Sequence, residues 1–474
     1  MTYLQQEFTI HPVGQGLFYS GKISYQNKVK FRMVFDCGSL TADACQEEIE
    51  IYRDSDFLVE NIIDLVVISH FDADHVNKIG ILLRGAIKIK KLVMPFLTFK
   101  ERLFLVLHYF SDKTFDPDDD FFLQFAIDPL ATIDQNLGDD SELILVEPNP
   151  NGPIGSDQNT IGELSESVSI GLEKRFEFDF KGKKAIQPNE NPAVIGSKIK
   201  SFKVFDSEKG MVYAENLKLM EFIFYRRKVT ANENDLYDKI SRLFYEKFDI
   251  DTKLPKQEVF KATIEVIKKI TSGTVIKEIF REAKKKINVK GVNIEDLNTT
   301  ALSLLHRNLP DILKLGQSPY RNSESIFLDM DAKVYTIHKF VDSRLETPFF
   351  ANHHLTFSVE LRKYSLNFPN VLLTSDSFLL KEKDIDPFIR HYENYWNKFW
   401  LFQIPHHGSE KNSDGVLHSH LRSIDHCFIN YGIGNRDSHP SSNVINNLVA
   451  TGNSQKIIPV NQTLGLRFQF LLRN

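Results

Sequence analysis

Ile62-Ile-Asp-Leu-Val-Val-Ile-Ser69 runs directly into His70-Phe-Asp-Ala-Asp-His75. The first segment is an apolar run of strand length, interrupted only by Asp64, and reads as a buried strand. The second sets His70, Asp72, Asp74 and His75 within six positions at the mouth of that strand. Carboxylates and imidazoles crowded against a core are costly unless a cation lies among them. A divalent metal, or a pair of metals, is the occupant this donor set selects. The bland alternative is a polar strand-to-helix turn in which Asp74 caps the following helix.

Two later segments repeat the arrangement. Val371-Leu-Leu-Thr-Ser-Asp376 sets a carboxylate just past an apolar run, and Phe402-Gln-Ile-Pro-His-His-Gly-Ser409 sets two imidazoles past another. Strand ends are rigid platforms, and the loops beyond them can converge on one site. A two-metal site needs a carboxylate shared by both ions, and Asp376 suits that role. His406 and His407 compete for one ligand position. His407 is the first choice, and the other is left to hydrogen-bond the site.

Outward from these motifs the chain reads as alternating elements. Phe8-Thr-Ile10, Leu17-Phe-Tyr-Ser20 and Lys30-Phe-Arg-Met-Val-Phe35 read as strands, with Gly14, Gly16 and Gly38 at turns or close backbone approaches. Helices are expected over Asp43–Tyr52 and Val76–Arg84, and a strand at Leu92-Val-Met94. Residues 110–160 read as loop-rich, with an acidic run at Asp116–Asp120. Leu217–Tyr225 reads as a strand whose aromatic residues belong to a core. From about 232 to 290, apolar residues recur at helical spacing among lysines, predicting two or three amphipathic helices. Strands resume at Thr356–Leu361, Val371–Thr374, Trp400–Ile404, Cys427–Asn430 and Leu466–Phe470. The fold class is therefore α/β. Its halves are 1–100 and 346–474, and 101–345 elaborates them as an insertion.

The chain has 474 residues, 42% of them hydrophobic and 26% charged, which is ample for a large core. A net charge of −5 argues against indiscriminate coating of nucleic acid, though not against a local basic groove. Cys37, Cys45 and Cys427 show no metal-type pairing, and an odd count suits a reducing compartment. The first residues lack the features of a signal peptide, and no apolar run approaches a membrane span. A cytoplasmic location with no membrane partner is expected.

The chain resembles the metallo-β-lactamase superfamily, and within it the hydrolase domain of competence-type DNA-uptake proteins. The resemblance rests on Val13-Gly-Gln-Gly16, Phe35-Asp-Cys-Gly38, Ser69-His-Phe-Asp-Ala-Asp-His75, Leu372-Leu-Thr-Ser-Asp376, Pro405-His-His-Gly-Ser409 and Asn435-Arg-Asp-Ser-His-Pro440, which occur in the family's order. It implies a four-layer αββα sandwich with a metal site at one edge of the sheets. It implies that His70 and Asp72 bind a first ion, Asp74 and His75 a second, that Asp376 bridges them, and that His407 or His406 adds a ligand. Asp72 stands where the superfamily commonly has His, and this harder donor suits Mn²⁺ as well as Zn²⁺. The family's middle ligand has three claimants: His354, then His353, and Asn298 as a rival.

Hydrolysis by a hydroxide shared between two divalent ions follows from the resemblance. Asp74 or Asp376 would orient that nucleophile, and His439 would donate a proton to the leaving group; the plain reading of His439 is a turn residue before Pro440. The first functional expectation is a phosphodiesterase or nuclease acting on nucleic acid or nucleotides. A small-molecule ester, lactone or thioester hydrolase is the second, since fold does not dictate substrate. The third is a gated or vestigial subunit of a larger, defence-like complex, with the insertion meeting a protein partner or a second copy. Lys253–Lys290 reads as a solvated face or, if its charges align near the site, a phosphate-binding groove. Ser409 reads as a cap or ligand orienter.

Overall fold

The computed structural model describes residues 3–56, 60–85, 87–111, 120–148, 174–180, 201–205, 209–270, 273–286, 300–310, 312, 323–331, 334–342, 369–396, 398–453 and 457–473. Its strands, in chain order, are β1 (Tyr3–Ile10), β2 (Gly16–Tyr25), β3 (Lys28–Ser39), β4 (Ile62–Val67), β5 (Lys88–Pro95), β6 (Leu137–Val146), β7 (Glu177–Phe180), β8 (Ser201–Phe205), β9 (Lys209–Ala214), β10 (Leu217–Arg226), β11 (Leu302–Asn308), β12 (Ser323–Asp331), β13 (Val334–Asp342), β14 (Val371–Leu373), β15 (Leu401–Gln403), β16 (His426–Asn430), β17 (Ile457–Val460) and β18 (Gly465–Arg473). Among the described residues they form two mixed sheets, one ordered β12-β13-β18-β1-β2-β3-β4-β5-β6-β8 and the other β17-β16-β15-β14-β11-β10-β9-β7. β3 through β6 run parallel in the first, and β14 through β17 run parallel in the second.

Consecutive residues of the apolar runs face opposite sides, as the period of a strand demands. Phe35, Val67, Phe222, Leu304 and Val371 share a core to which both sheets contribute. Their neighbours Val34 and Val66 pack with α1 (Ala42–Asp56), α2 (Phe99–Ser111) and the helical stretch that follows β10. On the second sheet, Ile223, Leu305 and Leu372 pack with Ile385, Phe388, Leu417 and Leu448 from helices late in the chain. This is why Leu65-Val-Val67 is apolar without alternation: neither face meets water. Each such side chain contributes roughly 1.5–3 kcal/mol when fully buried. Asp64 interrupts the run because it accepts from Arg32 N–H at 2.8 Å and pairs with Lys90 and Arg175.

The basic helical stretch is three helices, Ala231–Lys247, Lys256–Ile267 and Thr274–Lys286. Thr230 and Glu233 form a capping box at the start of the first. Lys261, Lys268, Lys269, Lys277 and Lys285 are exposed among the exposed Glu265, Glu278 and Glu282, which is the pattern of a solvated face. The strands of 137–146, 201–226, 302–308 and 323–342 belong to the two sheets, so this middle portion of the chain is woven into them.

Two local expectations are corrected. The helix expected from Val76 is two single turns, Ala73–Val76 and Ile79–Leu82, and the first takes in Asp74 and His75. Asp72 is its N-cap, without a side-chain bond, so Asp74 is no cap. The 110–160 region holds helices at Asp120–Ile127 and Pro129–Thr132 and the strand β6. Polar residues at the start of β6 and the acidic run before Phe121 mask the buried Leu143–Val146 and Phe125. Thr356–Leu361 lies outside the described residues. All three cysteines are buried free thiols. Among the described residues no helix is long and apolar enough to cross a membrane.

Candidate metal centre

The parallel strands of both sheets end at one place. β4 leads to Ser69 and His70, and the turn Ala73–Val76 presents Asp74 and His75. β14 leads to Asp376, and β15 to His406 and His407. Carboxyl ends of parallel strands are where an α/β crevice opens. The polypeptide is drawn tight there. A Cβ on Gly38 would lie 2.6 Å from the backbone of His75 and Val76, and one on Gly16 would lie 2.6 Å from Asp74 O. Glycine is required at both positions because strand backbone touches the backbone that carries the donors.

The donors fall into two groups that share one residue. Asp74, His75, Asp376 and His407 have ligand atoms within 4.8 Å of one another, and so do His70, Asp72 and Asp376. Asp376 Oδ1 faces His75 Nε2 at 3.2 Å and His407 Nε2 at 3.9 Å. Its Oδ2 faces His70 Nε2 at 3.8 Å and His406 Nε2 at 3.5 Å. Within the groups, His70 Nε2 stands 3.5 Å from Asp72 and His407 Nε2 3.0 Å from Asp74. Two ligands bound tetrahedrally to one ion at about 2.0–2.1 Å lie roughly 3.4 Å apart, and these separations match. His70 Nε2, His75 Nε2 and Asp376 Oδ1 are buried and make no hydrogen bond. Buried polar atoms left so are rare, and a divalent cation satisfies all three. The residues therefore fit a metal.

Each imidazole is held by its other nitrogen. His75 Nδ1–H donates to Asp36 Oδ2 at 2.8 Å. Ser69 Oγ donates to the same oxygen at 2.5 Å and accepts from His70 Nδ1–H at 2.9 Å. His407 Nδ1–H donates to Asn430 O at 2.8 Å, and His406 Nδ1–H to Asn412 Oδ1 at 2.7 Å. All four Nε2 atoms thereby face the carboxylates, and in the neutral rings they present the lone pairs a metal would take. Gln403 secures the bridge by accepting from Ser375 N–H at 2.8 Å and donating to Asn430 at 2.9 Å. Asp36, Ser375, His406 and His407 have φ of 56°, 50°, 47° and 55°. Left-handed backbone at non-glycine residues costs on the order of 1 kcal/mol each, and such strain clusters at functional sites.

The charges are strongly interdependent. Burial alone would lower the His75 pKa, but Asp376, Asp36 and Asp74 outweigh it and hold it well above the usual imidazole value. His407 is likewise raised against its burial, by Asp376 and Asp74. Burial opposes ionisation of Asp376, yet His406, His75 and His407 hold it well below the carboxylate range, and Asp74 is lowered against its burial by His75 and His407. Burial drives His306 down to about 3 and His391, His418 and His439 to about 4, the last helped by His406 and His407.

These shifts set a pH profile. Lowered imidazoles withdraw stability as pH falls below the unfolded value of about 6.5 toward 4, because folding then excludes a proton. Raised imidazoles contribute fully below about 6.5 and lose their contribution as pH rises through their folded pKa. Without metal, the unfolding midpoint should peak near pH 6.5 and decline on both sides. Saturating Mn²⁺ or Zn²⁺ should remove the alkaline decline, because metal takes the protons' place. A calorimetric profile flat from pH 6.5 to 9 in chelator would contradict the imidazole–carboxylate pairing.

Of the residues expected at a site, His70, Asp72, Asp74, His75, Asp376, His406 and His407 meet here. His439 stands beside them, its ring 5.5 Å from that of His406, with a buried Nδ1 that makes no hydrogen bond. His353, His354 and Asn298 lie outside the described residues. The segment that follows Asn298 does reach the site, since Leu302 N–H donates to Ser69 O at 2.9 Å. Ser409 takes a turn role, its Oγ accepting from Lys411 N–H at 3.3 Å.

Sequence reading gave no role at the site to Asp36, Ser69, Gln403, Asn412 or Asn430. Asp36 is a fully buried carboxylate inside the otherwise apolar end of β3, and that irregularity marks it. Asp36→Asn should weaken metal binding about 10- to 100-fold, as loss of an orienting carboxylate does. A chelator-competition titration measures this, and unchanged affinity would deny Asp36 its role.

No protein-family model matches this chain, and a search of the curated proteins returns no match.

Proposed function

We propose that the protein is a hydrolase that uses two divalent ions, Zn²⁺ or Mn²⁺, to cleave phosphodiester bonds in nucleic acid or nucleotides. One observation carries the reading: Asp376 turns one oxygen to each of two histidine–aspartate groups. The three apolar clusters, two beyond the sheets and one between them, support an αββα sandwich of the metallo-β-lactamase type. The ordered motifs of that superfamily favour the competence-like variant, and Asp72 in place of histidine fits its oxygen-rich chemistry with phosphate.

Bound here, a pair of divalent ions would make water nucleophilic near neutrality and offset charge on the phosphate. His70 and Asp72 would hold one, Asp74, His75 and His407 the other, and Asp376 both. Asp74, ionised and only partly buried, is the carboxylate able to take a hydrogen bond from the attacking water. Asp72 and His406, with side chains 25% and 26% exposed, mark the side from which substrate enters. His439 borders that side and supplies an N–H toward the departing oxygen. His439→Ala should keep its metal content and lose turnover about 100-fold.

The test is a cleavage screen of single-stranded and duplex DNA, RNA and cyclic dinucleotides with Mn²⁺, Zn²⁺ and Mg²⁺, run beside a panel of esters, lactones and thioesters. Cleavage of a phosphodiester that Asp74→Ala abolishes is expected. Turnover of the ester panel alone would overturn the substrate class and leave the metal centre standing.

A further inference from the structure

We propose that the twin histidines are divided between the two metal positions, with His406 completing the one formed by His70, Asp72 and Asp376, and with Asn412 as its positioning residue. This rests on the two-ion reading above and assigns a ligand within it.

Asn412 is buried, and its Nδ2 donates to Asp376 O at 3.2 Å. Its Oδ1 therefore faces His406, and an amide oxygen only accepts, so His406 Nδ1 carries the hydrogen at 2.7 Å. The neutral ring then has its lone pair on Nε2, which stands 3.5 Å from Asp376 Oδ2. A lone pair and a carboxylate oxygen at this distance are spaced as two ligands of one cation, which would take the place a proton holds without metal. His407 is arranged the same way on the other side, with Nδ1–H on Asn430 O and Nε2 toward Asp74 and Asp376 Oδ1. Adjacent histidines thus address opposite oxygens of one carboxylate.

The backbone accounts for how neighbours can do this. Both residues have positive φ, 47° and 55°, where successive side chains of an extended strand would diverge to opposite faces of a sheet. His406 stands outside the set of three donors whose atoms lie within 4.8 Å of one another, and it approaches that set from the solvent side through Asp376 Oδ2. Its exposure of 26%, against none for His407, makes the position it completes the more accessible of the two. Asn412 therefore ties two donors of that position together: the ring of His406 through Oδ1 and the backbone of Asp376 through Nδ2.

The experiment is a Mn²⁺ and Co²⁺ titration of the full chain, read by chelator competition, by metal stoichiometry and by the visible Co²⁺ spectrum. Wild type should bind two ions. His406→Ala should weaken one of them about 10- to 100-fold and shift its Co²⁺ bands. The same change made on Asp72→Ala should add little, because both remove ligands from one position, whereas on His407→Ala it should add fully. Asn412→Ala should reproduce part of the loss, and Asn412→Asp, which keeps the acceptor for Nδ1–H, should restore affinity toward wild type. His406→Gln serves as a second variant if the alanine form unfolds, judged by circular dichroism.

Two bound ions with affinity and spectrum unchanged in His406→Ala and His406→Gln would overturn this assignment and spare the metal centre. Coupling of His406 with His407 rather than with Asp72 would overturn it too. A wild-type chain that binds no ion would bring down the two-ion reading itself.

Discussion

Asp376→Asn is expected to leave the purified protein with at most one ion per chain and to cut the proposed phosphodiester turnover roughly a thousandfold or more. The substitution keeps size and shape in a residue that is 1% exposed, so the cavity is unchanged. It removes the one negative charge that both donor groups share. It also sets an NH₂ against either the His75 and His407 side or the His70 and His406 side, where only lone pairs and a cation are complementary. Removing one partner of a buried ion pair costs about 3–5 kcal/mol, because the other is left uncompensated. Here His75 and His407 lose their strongest counter-charge. The metal-free variant should therefore also unfold earlier than metal-free wild type at pH 6. Elemental analysis decides the matter without any substrate: two ions retained by Asp376→Asn would show that the carboxylate does not bridge.

Gly38→Ala is expected to destabilise the protein by roughly 3 kcal/mol and to lower metal affinity with it. The new methyl would meet His75 C, His75 N and Val76 N, all at 2.6 Å, and all three are backbone that cannot rotate away. Only displacement of the turn Ala73–Val76 relieves the overlap, and that turn carries Asp74 and His75. Gly434→Ala is the control. Its φ is +74° and nothing lies within 4 Å of the added carbon, so its cost is confined to backbone strain of about 1 kcal/mol. Chemical denaturation in chelator and in Mn²⁺ separates the two terms. A Gly38→Ala protein as stable as Gly434→Ala would mean that the strand and the turn are not in forced contact.

The donors were legible in the sequence because their pattern is local. A buried strand must end, and a run of imidazoles and carboxylates at that end has few other uses. That held for His70–His75, for Asp376 and for the pair after Ile404. The division of labour was not legible, because it depends on which oxygen of Asp376 each ring meets across two sheets. Asp36 was passed over for a related reason: its partners, Ser69 and His75, lie on other elements. Polar Gln403 inside the apolar stretch Trp400–Ile404 was the visible irregularity, and its purpose appears only beside Ser375 and Asn430. Strand positions were readable where apolar runs are continuous. Sheet order was not, since nothing local tells β18 to lie between β1 and β13.

That last placement bears on biosynthesis. β18 pairs antiparallel with β1, from Tyr3 against Arg473 to Ile10 against Leu466, and parallel with β13. A ribosome emits β1 first and its neighbour last among the described strands. Until Gly465–Arg473 leaves the exit tunnel, one edge of β1 offers unpaired N–H and C=O groups to any extended segment nearby. Nascent chains stalled before residue 465 should therefore depend on chaperones that shield strand edges, and chains stalled once residue 473 has left the tunnel should not.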